Sequence, residues 1–342
     1  MTETAKSPSA PGRVPVTLDE LRRTVDAALR QLGLSGDDAA VIGEILIWGE
    51  MRGSSQGLYK ILERTVLPGA DAAPIGVSWP RPAVARIDGA RQVGMVVMRR
   101  AADLVADAAD AHGLAAAGTW NTASSSGAIG FYARRIAERG HLGIVMAGSP
   151  KSMALHGGHR PVMGTNPVAF AIPLGDEILA FDMSTSMVTV FSLVAARERG
   201  EVLPAGLAVD EHGRPTTDPA RALAGAILPF GGHKGSGLAL MIEILTGPLQ
   251  GASIFGDERD NRGNFLLALD PQAFIGRAAF EAAATLLLQR LRGAQGDDAP
   301  PPRLPGEAGE ARARQVLADG SLGLDAPLWA SLQALAGGAP VQ

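Results

Sequence analysis

The sequence AVARID (residues 83–88) is followed by VVMRRAADLVADAADAHG (96–113), GLAAAGTW (113–120), FYARRIAERG (131–140) and LGIVMAG (142–148). Short apolar runs typical of β-strands alternate here with longer amphipathic runs typical of α-helices. This alternation predicts a layered α/β fold. Two further apolar runs, PVAFAIP (167–173) and ILAFDM (178–183), are joined by a turn-like PLGDE and predict antiparallel strands, so we expect a mixed sheet.

Helical sequences flank this region on both sides. Thr17 with Glu20, and Ser35 with Asp38, are typical helix starts ahead of two apolar segments that end near Gly53. Beyond the region, the sequence predicts a helix after the glycines of GGHKGSGLALMIEIL (231–245), a strand at NFLLAL (264–269), and helices at 278–293, 307–318 and 326–336. We therefore expect a disordered tail at 1–14, an N-terminal helical part at 15–78, a mixed-sheet domain at 79–275, and C-terminal helices at 276–342 that pack back on the N-terminal part.

Composition excludes several classes of protein. The 342 residues suffice for about two domains, and with no cysteine the chain has neither disulfides nor a thiol nucleophile. Basic residues (31) are balanced by acidic ones (35) and aromatic residues are only 4%, which is unlike a nucleic-acid-binding surface. Neither a signal-peptide core nor an apolar run of about 18 residues is present, so we expect a cytoplasmic protein without nucleic-acid or membrane partners.

A glycine-rich turn at residues 231–237 (GGHKGSG) is a candidate anion site. Its spacing matches neither G-x-G-x-x-G nor G-x-x-x-x-G-K-[ST]. Backbone N–H groups at a helix N-terminus and the charge of Lys234 nevertheless suit a phosphate. A glycine-rich helix cap with a solvated lysine explains the same residues equally well.

Three other loops carry polar residues whose roles the sequence leaves open. The serines of TASSSGAIG (122–130) either cap the following helix or face a ligand, and FDMSTS (181–186) ends a strand where α/β sheets bind ligands. The pair of histidines in HGGHRP (156–161) has no carboxylate at partner spacing, so we predict no metal site. GSSQG (53–57) fits the hydrolase pattern G-x-S-x-G, but it follows a helix, which favours a helix-terminating loop.

Four motifs together resemble the malate/L-lactate dehydrogenase-like family of NAD(P)-dependent oxidoreductases, which includes ureidoglycolate dehydrogenase, diketogulonate reductase and the piperideine/pyrroline-2-carboxylate reductases. They are GTNP (164–167), FDMSTS (181–186), GGHKGSGLALMIEIL (231–245) and RLPGE (303–307). The resemblance runs from about Leu18 to Leu335 and implies a non-Rossmann fold, a homodimer, and NAD(P) binding by the mixed-sheet domain. The cofactor contacts that it implies are Ser149, Thr165, Asn166, Asp182, Met183, Ser184, His233, Lys234, Gly306 and Glu307.

The sequence departs from this family at the positions of the chemistry. Gln56 and Ser125 stand where the family carries histidines that move the proton, and Lys60 matches the arginine that binds the substrate carboxylate. General acid–base assistance is worth about 10²–10⁴-fold in rate, so an ordinary ketone would be reduced slowly without a substitute. Three alternatives follow: the substrate is an imine that arrives protonated, another side chain (Tyr59, Lys60, His156 or His159) supplies the proton, or the protein binds a nucleotide without turnover.

We predict an NAD(P)H-dependent reductase of a small 2-imino or 2-keto acid, with the imine preferred because both histidines are replaced. Lys60 is the predicted partner of the substrate carboxylate, and Gln56 and Ser125 are predicted to hydrogen-bond the reacting group. A slight preference for NADP(H) is expected, with Lys151 and Arg160 as candidates for its 2′-phosphate. The alternative is a catalytically silent homologue that binds the cofactor as a binding or assembly protein.

Overall fold

The computed structural model describes residues 12–255, 261–295 and 302–338. The chain divides into two compact units, one formed by Met1–Thr65 with Ala308–Gln342 and the other by Val66–Glu307. The strands are β1 (Arg13–Thr17), β2 (Gly76–Arg81), β3 (Val84–Asp88), β4 (Leu114–Thr122), β5 (Leu142–Ala147), β6 (Val168–Leu174), β7 (Glu177–Met183), β8 (Ala208–Val209), β9 (Pro215–Thr216), β10 (Ala226–Ile227), β11 (Arg262–Leu269) and β12 (Ser321–Asp325). The helices are α1 (Leu18–Gln31), α2 (Gly36–Met51), α3 (Tyr59–Leu62), α4 (Gly94–His112), α5 (Gly130–Glu138), α6 (Val190–Glu198), α7 (Pro219–Ala224), α8 (His233–Thr246), α9 (Arg277–Arg292), α10 (Glu307–Asp319) and α11 (Ala326–Ala336).

The discontinuous unit is built from the two ends of the chain. Both predicted helix starts are confirmed: Thr17 Oγ1 accepts from Glu20 N (3.2 Å) and Ser35 Oγ accepts from Asp38 N (3.2 Å). Strand β1 pairs antiparallel with β12, and α1 packs against α11. Strand β1 begins inside the segment that we expected to be a disordered tail, because its pairing partner lies some three hundred residues further along the sequence. Residues 1–11 of that tail lie outside the described residues.

The continuous unit contains a seven-stranded sheet in the order β2-β3-β4-β11-β5-β6-β7. The β3–β4 pair is parallel and the other neighbours are antiparallel, so the predicted mixed α/β sheet is confirmed. Helices α4 and α5 pack against its strands β4 to β6, and α8 contacts β5 and β11. The order brings β5 beside β11 and places the β6–β7 hairpin at one end of the sheet.

A smaller three-stranded sheet, in the order β10-β8-β9, lies in the same unit. Each of its strands has two residues, which is too short to show an alternating pattern, and the sequence does not predict it. Its apolar cluster includes Leu193 on α6, Ala222 on α7 and Ile227 on β10. The cluster ends at Ile227, shortly before the turn that leads into α8.

The unit boundaries differ from those expected at residues 78 and 276. Helix α9 belongs to the sheet unit, where it contacts β6 and where Arg277 Nη2 is 3.3 Å from Asp270 Oδ1 at the end of β11. The first boundary falls at Thr65, directly after the turn that follows α3.

No helix within the described residues is long and apolar enough to cross a membrane.

Candidate functional site

Three of the motifs meet within the sheet unit. Thr185, just past the end of β7, donates from both its backbone N and its Oγ1 to the carbonyl of Thr165 (2.9 Å each). Phe230 N in turn donates to Thr185 O (3.1 Å), which ties the turn before α8 to the same point. The structure therefore brings GTNP, FDMSTS and the glycine turn side by side.

Asn166, the next residue after Thr165, connects these three motifs to the buried side of α8. It is fully buried at a φ of +25°, its Oδ1 accepts from Ser149 N (3.2 Å), and its Nδ2 donates to Ala239 O (3.1 Å) and Glu243 Oε2 (2.7 Å). The other oxygen of Glu243 accepts from Phe255 N (2.6 Å). Both hydrogens of the Asn166 amide are thus used inside the protein, so its side chain fixes the loops around the site. Glu243 was missed by the sequence analysis, although an acid within the apolar run ALMIEIL was a signal.

Asp182, at the end of β7, lies against the N-terminus of α5. Its Oδ2 accepts from Gly130 N (2.9 Å), and a Cβ at Gly130 would lie only 2.8 Å from that oxygen. Burial raises the pKa of Asp182 to about 6, and the Gly130 N–H acts in the opposite direction. The residue as a whole is nevertheless exposed to solvent. An accessible carboxyl group crowded by protein is typical of a binding cleft.

Next to Asp182, Met183 and Ser184 are half-buried, and Ser184 Oγ donates to Ser186 O (3.2 Å). This hydroxyl therefore closes the turn after β7. The turn places Ser184 beside the Thr165–Thr185 contact.

The loop that carries Ser125 leads directly to Gly130 and so to Asp182. Ser125 Oγ accepts from Gly127 N (3.1 Å), and Ser126 Oγ donates to Asn264 Oδ1 (3.0 Å). Neither serine caps α5, which has no side-chain cap. The hydroxyls of Ser125 and Ser126 instead bind within the loop and to β11.

The glycine turn differs in one respect from the expected anion site. Lys234 N, Gly235 N and Ser236 N all donate to carbonyls within the turn, to Gly231 (3.3 Å), Phe230 (2.9 Å) and Gly232 (3.2 Å) respectively. Attraction for an anion therefore rests on the exposed Lys234 side chain and on the helix dipole rather than on these N–H groups.

His233 is also exposed, and its ring lies 6.1 Å from that of His156. His156 N donates to Ser236 Oγ (2.7 Å) and so fastens the loop of residues 149–163 to the first turn of α8. Lys151 and Arg160, the candidates for a 2′-phosphate, lie exposed on this loop. The loop therefore carries two cations, and its His156 lies next to the Lys234 turn.

The RLPGE motif lies against β7, the strand that carries Asp182. Gly306 has a φ of +80°, and a Cβ there would lie 2.3 Å from Ala180 O. Glu307 accepts from Arg292 Nη2 (2.9 Å) and Leu304 N (3.0 Å), and these bonds lower its pKa. Position 306 therefore requires glycine, because the Ala180 carbonyl lies too close for a side chain. Glu307 stabilises the local turn.

Gln56 and Lys60 lie in the discontinuous unit. Gln56 is half-buried in the loop after α2, with its backbone N donating to Ser54 Oγ (3.2 Å). Lys60 lies in α3 and is 1% exposed. Tyr59, one of the alternative proton donors, gives its hydroxyl hydrogen to Asp325 Oδ2 (3.2 Å). Two of the predicted substrate residues, Gln56 and Lys60, therefore lie in the discontinuous unit, whereas Ser125 lies in the sheet unit.

Among the described residues, no group of three or more histidine or acidic side chains is arranged to hold a metal ion.

Residues 16–333 match the malate/L-lactate dehydrogenase family. The chain belongs to this family. The predicted family and the predicted class of enzyme, an oxidoreductase, are thereby confirmed.

Two relatives and one solved structure illustrate the similarity. The malate/(S)-sulfolactate dehydrogenase of Methanothermus fervidus is 33% identical over 272 residues, which cover 76% of this chain and 80% of that protein. The Delta(1)-pyrroline-2-carboxylate/Delta(1)-piperideine-2-carboxylate reductase of Pseudomonas aeruginosa is 33% identical over 287 residues, covering 79% and 85%. The crystal structure of a dehydrogenase from Sinorhizobium meliloti superimposes with a TM-score of 0.85 at 34% identity, covering 94% of this chain and 98% of that one.

Proposed function

We propose that this protein is an NAD(P)H-dependent reductase of small 2-imino or 2-keto acids that prefers imines. Relatives in the family are named as a dehydrogenase of hydroxy acids and as a reductase of cyclic imino acids, so both substrate classes are candidates. A bound nicotinamide would supply the hydride. The residues of the sheet unit would hold the cofactor, with Lys234 near its phosphates.

The donor set of the sheet unit fits such a cofactor. Lys234 is an exposed cation at the start of α8, and a Cβ at the nearby Gly237 would meet nothing within 4 Å. The protein backbone can therefore approach a phosphate closely beside a positive charge. The hydrogen bonds through Thr165 and Asn166 keep the surrounding loops in place.

The carboxyl group of Asp182 carries the preference for an imine. With a pKa of about 6, it is mostly ionised at neutral pH yet crowded by protein. A negative charge in such surroundings stabilises a cationic iminium more strongly than water does. A neutral ketone gains nothing comparable and still needs a proton. Gln56 and Ser125 then orient the substrate, and Lys60, buried away from water, binds its carboxylate.

A substrate screen tests this proposal. With NADPH and NADH, purified protein should reduce cyclic 2-imino acids with a kcat/KM about 10²-fold above that for pyruvate or oxaloacetate. Gln56→Ala should lower the imine kcat/KM by about 10-fold, the size of one lost hydrogen bond. The same substitution at the exposed Arg23 of α1 serves as the control. Comparable rates with 2-hydroxy acids, unaffected by Gln56→Ala, would contradict the proposed roles, and cofactor binding without any turnover would support the silent homologue instead.

The preference for NADP(H) depends on Lys151 and Arg160 in this proposal. Replacing both with alanine should raise the KM for NADPH by about 10²-fold or more, because each charge-assisted bond to a phosphate is worth about 1.5–3 kcal/mol. The KM for NADH, which lacks the 2′-phosphate, should change less than about twofold. Equal effects on both cofactors would place the two cations elsewhere than at the 2′-phosphate.

The homodimer that the family resemblance implies remains a proposal, supported by exposed apolar surface in the sheet unit. Helix α9 has no buried residue, and the apolar side chains Leu286, Leu287 and Leu291 on it are exposed, as are Leu240, Met241 and Ile244 on α8. Surface of this kind is typical of a protein interface. A cytoplasmic location, as expected from the sequence, is part of this proposal.

A further inference from the structure

The loop that carries Gln56 (residues 53–58, here the Gln56 loop) contains two glycines that face charged side chains. A Cβ at Gly53 would lie 2.6 Å from Arg312 Nη1, and a Cβ at Gly57 would lie 2.2 Å from Glu50 Oε2. Gly53 has a φ of +72°, so its backbone favours glycine in any case. Gly57 has no positive φ. A side chain at Gly57 would therefore have to displace the Glu50 carboxylate from its place beside the loop.

Glu50 occupies an unfavourable place for a carboxylate. It lies in the last turn of α2, where the helix dipole disfavours negative charge. Burial raises its pKa, as does Asp325 at the end of β12, while the Leu58 N–H, Arg312 on α10 and Arg13 on β1 act in the opposite direction. An apolar side chain of similar size would avoid these costs. The stability of α2 alone does not account for the acid.

The contact between Glu50 and Gly57 reaches the residues predicted to bind substrate. Glu50 Oε2 accepts a long hydrogen bond from Leu58 N (3.4 Å), and Lys60 N donates to Gly57 O (3.3 Å). Gln56 directly precedes Gly57. Fixing the Gly57–Leu58 peptide therefore fixes both the backbone from which the Gln56 side chain extends and the start of the helix that carries Lys60.

We propose that Glu50 is a positioning residue whose carboxylate holds the Gly57–Leu58 peptide and thereby sets Gln56 and Lys60 in place for the substrate. This inference rests on the proposed function, in which those two side chains bind the substrate. Glu50 acts only through the loop. Misplacing a binding group by about 1 Å can lower the rate by about 10²-fold, so a small shift of this loop has a measurable effect.

Kinetics of four variants test the role of Glu50. Glu50→Ala should lower kcat/KM for the imino acid by about 10–100-fold, mainly by raising its KM, and should leave the dissociation constant of NADPH within about twofold. Glu50→Gln keeps the shape and one acceptor oxygen, so it should retain kcat/KM within about threefold. Gly57→Ala should resemble Glu50→Ala. Glu44→Ala, at an exposed position on the same helix, is the matched control.

Thermal unfolding separates this proposal from the proposed function. Gly57→Ala should lower the Tm by about 4 °C or more in the wild-type background and by about 1 °C or less in the Glu50→Ala background, because the second change removes the clashing oxygen. This coupling is measurable even if no substrate is turned over, in which case the proposed function fails while the contact stands. A folded Glu50→Ala protein with unchanged substrate KM would overturn the positioning role. Equal Tm losses in the two backgrounds would overturn the contact itself.

Discussion

Asn166→Ala is expected to lower the free energy of unfolding by about 3–4 kcal/mol, the largest stability effect predicted for this protein. The substitution removes the donor to Glu243 Oε2 and leaves Ala239 O and Ser149 N without their side-chain partner. Glu243 is 4% exposed, so water does not readily replace the lost bond. The Tm should fall by about 10 °C, measured by calorimetry or circular dichroism.

A swapped pair provides the control for this prediction. Asn166→Asp alone places two carboxyl groups at the 2.7 Å contact and should destabilise the protein at least as much as alanine does. Adding Glu243→Gln restores one donor and one acceptor and should recover about half of the loss. If Asn166→Ala unfolds within about 1 °C of the wild type, the buried amide does not hold these loops together.

Asp182→Asn is expected to lower kcat/KM for imino acids by about 10²-fold while changing kcat/KM for keto acids much less. Asparagine keeps an oxygen that can accept from Gly130 N but removes the negative charge that the proposal assigns to iminium stabilisation. The wild-type rate with imines should fall as the pH drops through about 6, where the carboxyl group becomes protonated. The variant should lack this step. An identical pH profile in the two proteins would assign the ionisation to another group.

The same substitution should change stability in a pH-dependent manner. Because the pKa is raised in the folded protein, the contribution of Asp182 to stability is present below its ordinary value of 3.8 and is lost as the pH rises through about 6. Asp182→Asn should therefore unfold at a higher temperature than the wild type near neutral pH. We expect about 2–4 °C, since the exposure of Asp182 to solvent weakens the effect. The difference should shrink as the pH is lowered towards 4, and a constant difference would contradict the raised pKa.

The sequence predicted those parts of the fold whose signals are local. Thr17 and Ser35 mark helix starts by hydroxyls that need only the next three residues, and the runs around Val84, Leu114 and Leu142 are long enough to show their period. Asp182 was placed at a strand end for the same reason. Its raised pKa depends on α5 packing against it, which no local pattern contains.

Contacts between distant segments were beyond sequence reasoning. No sequence pattern near Glu50 predicts that its carboxylate lies beside Gly57, because α2 ends between the two residues. The path by which the loop turns back towards Glu50 is set by packing, which the local sequence does not show. The two-residue strands of the small sheet carry no period. Asn166 gave a weak signal, since asparagine tolerates a positive φ. Its three partners, however, come from the loop after β5 and from α8.

The antiparallel ladder from Arg13 to Thr17 has a consequence for biosynthesis. Its partner, Ser321–Asp325, leaves the ribosome some three hundred residues later. The apolar helix α2, with Ile42, Ile45 and Leu46 fully buried in the finished protein, packs against α1, and α1 in turn packs against the later-made α11. Until α11 is made, these nascent helices expose apolar surface that needs protection. Residues 66–307 can complete their own core in the meantime. We therefore expect the discontinuous unit to complete its packing only once Ser321–Asp325 has paired with β1.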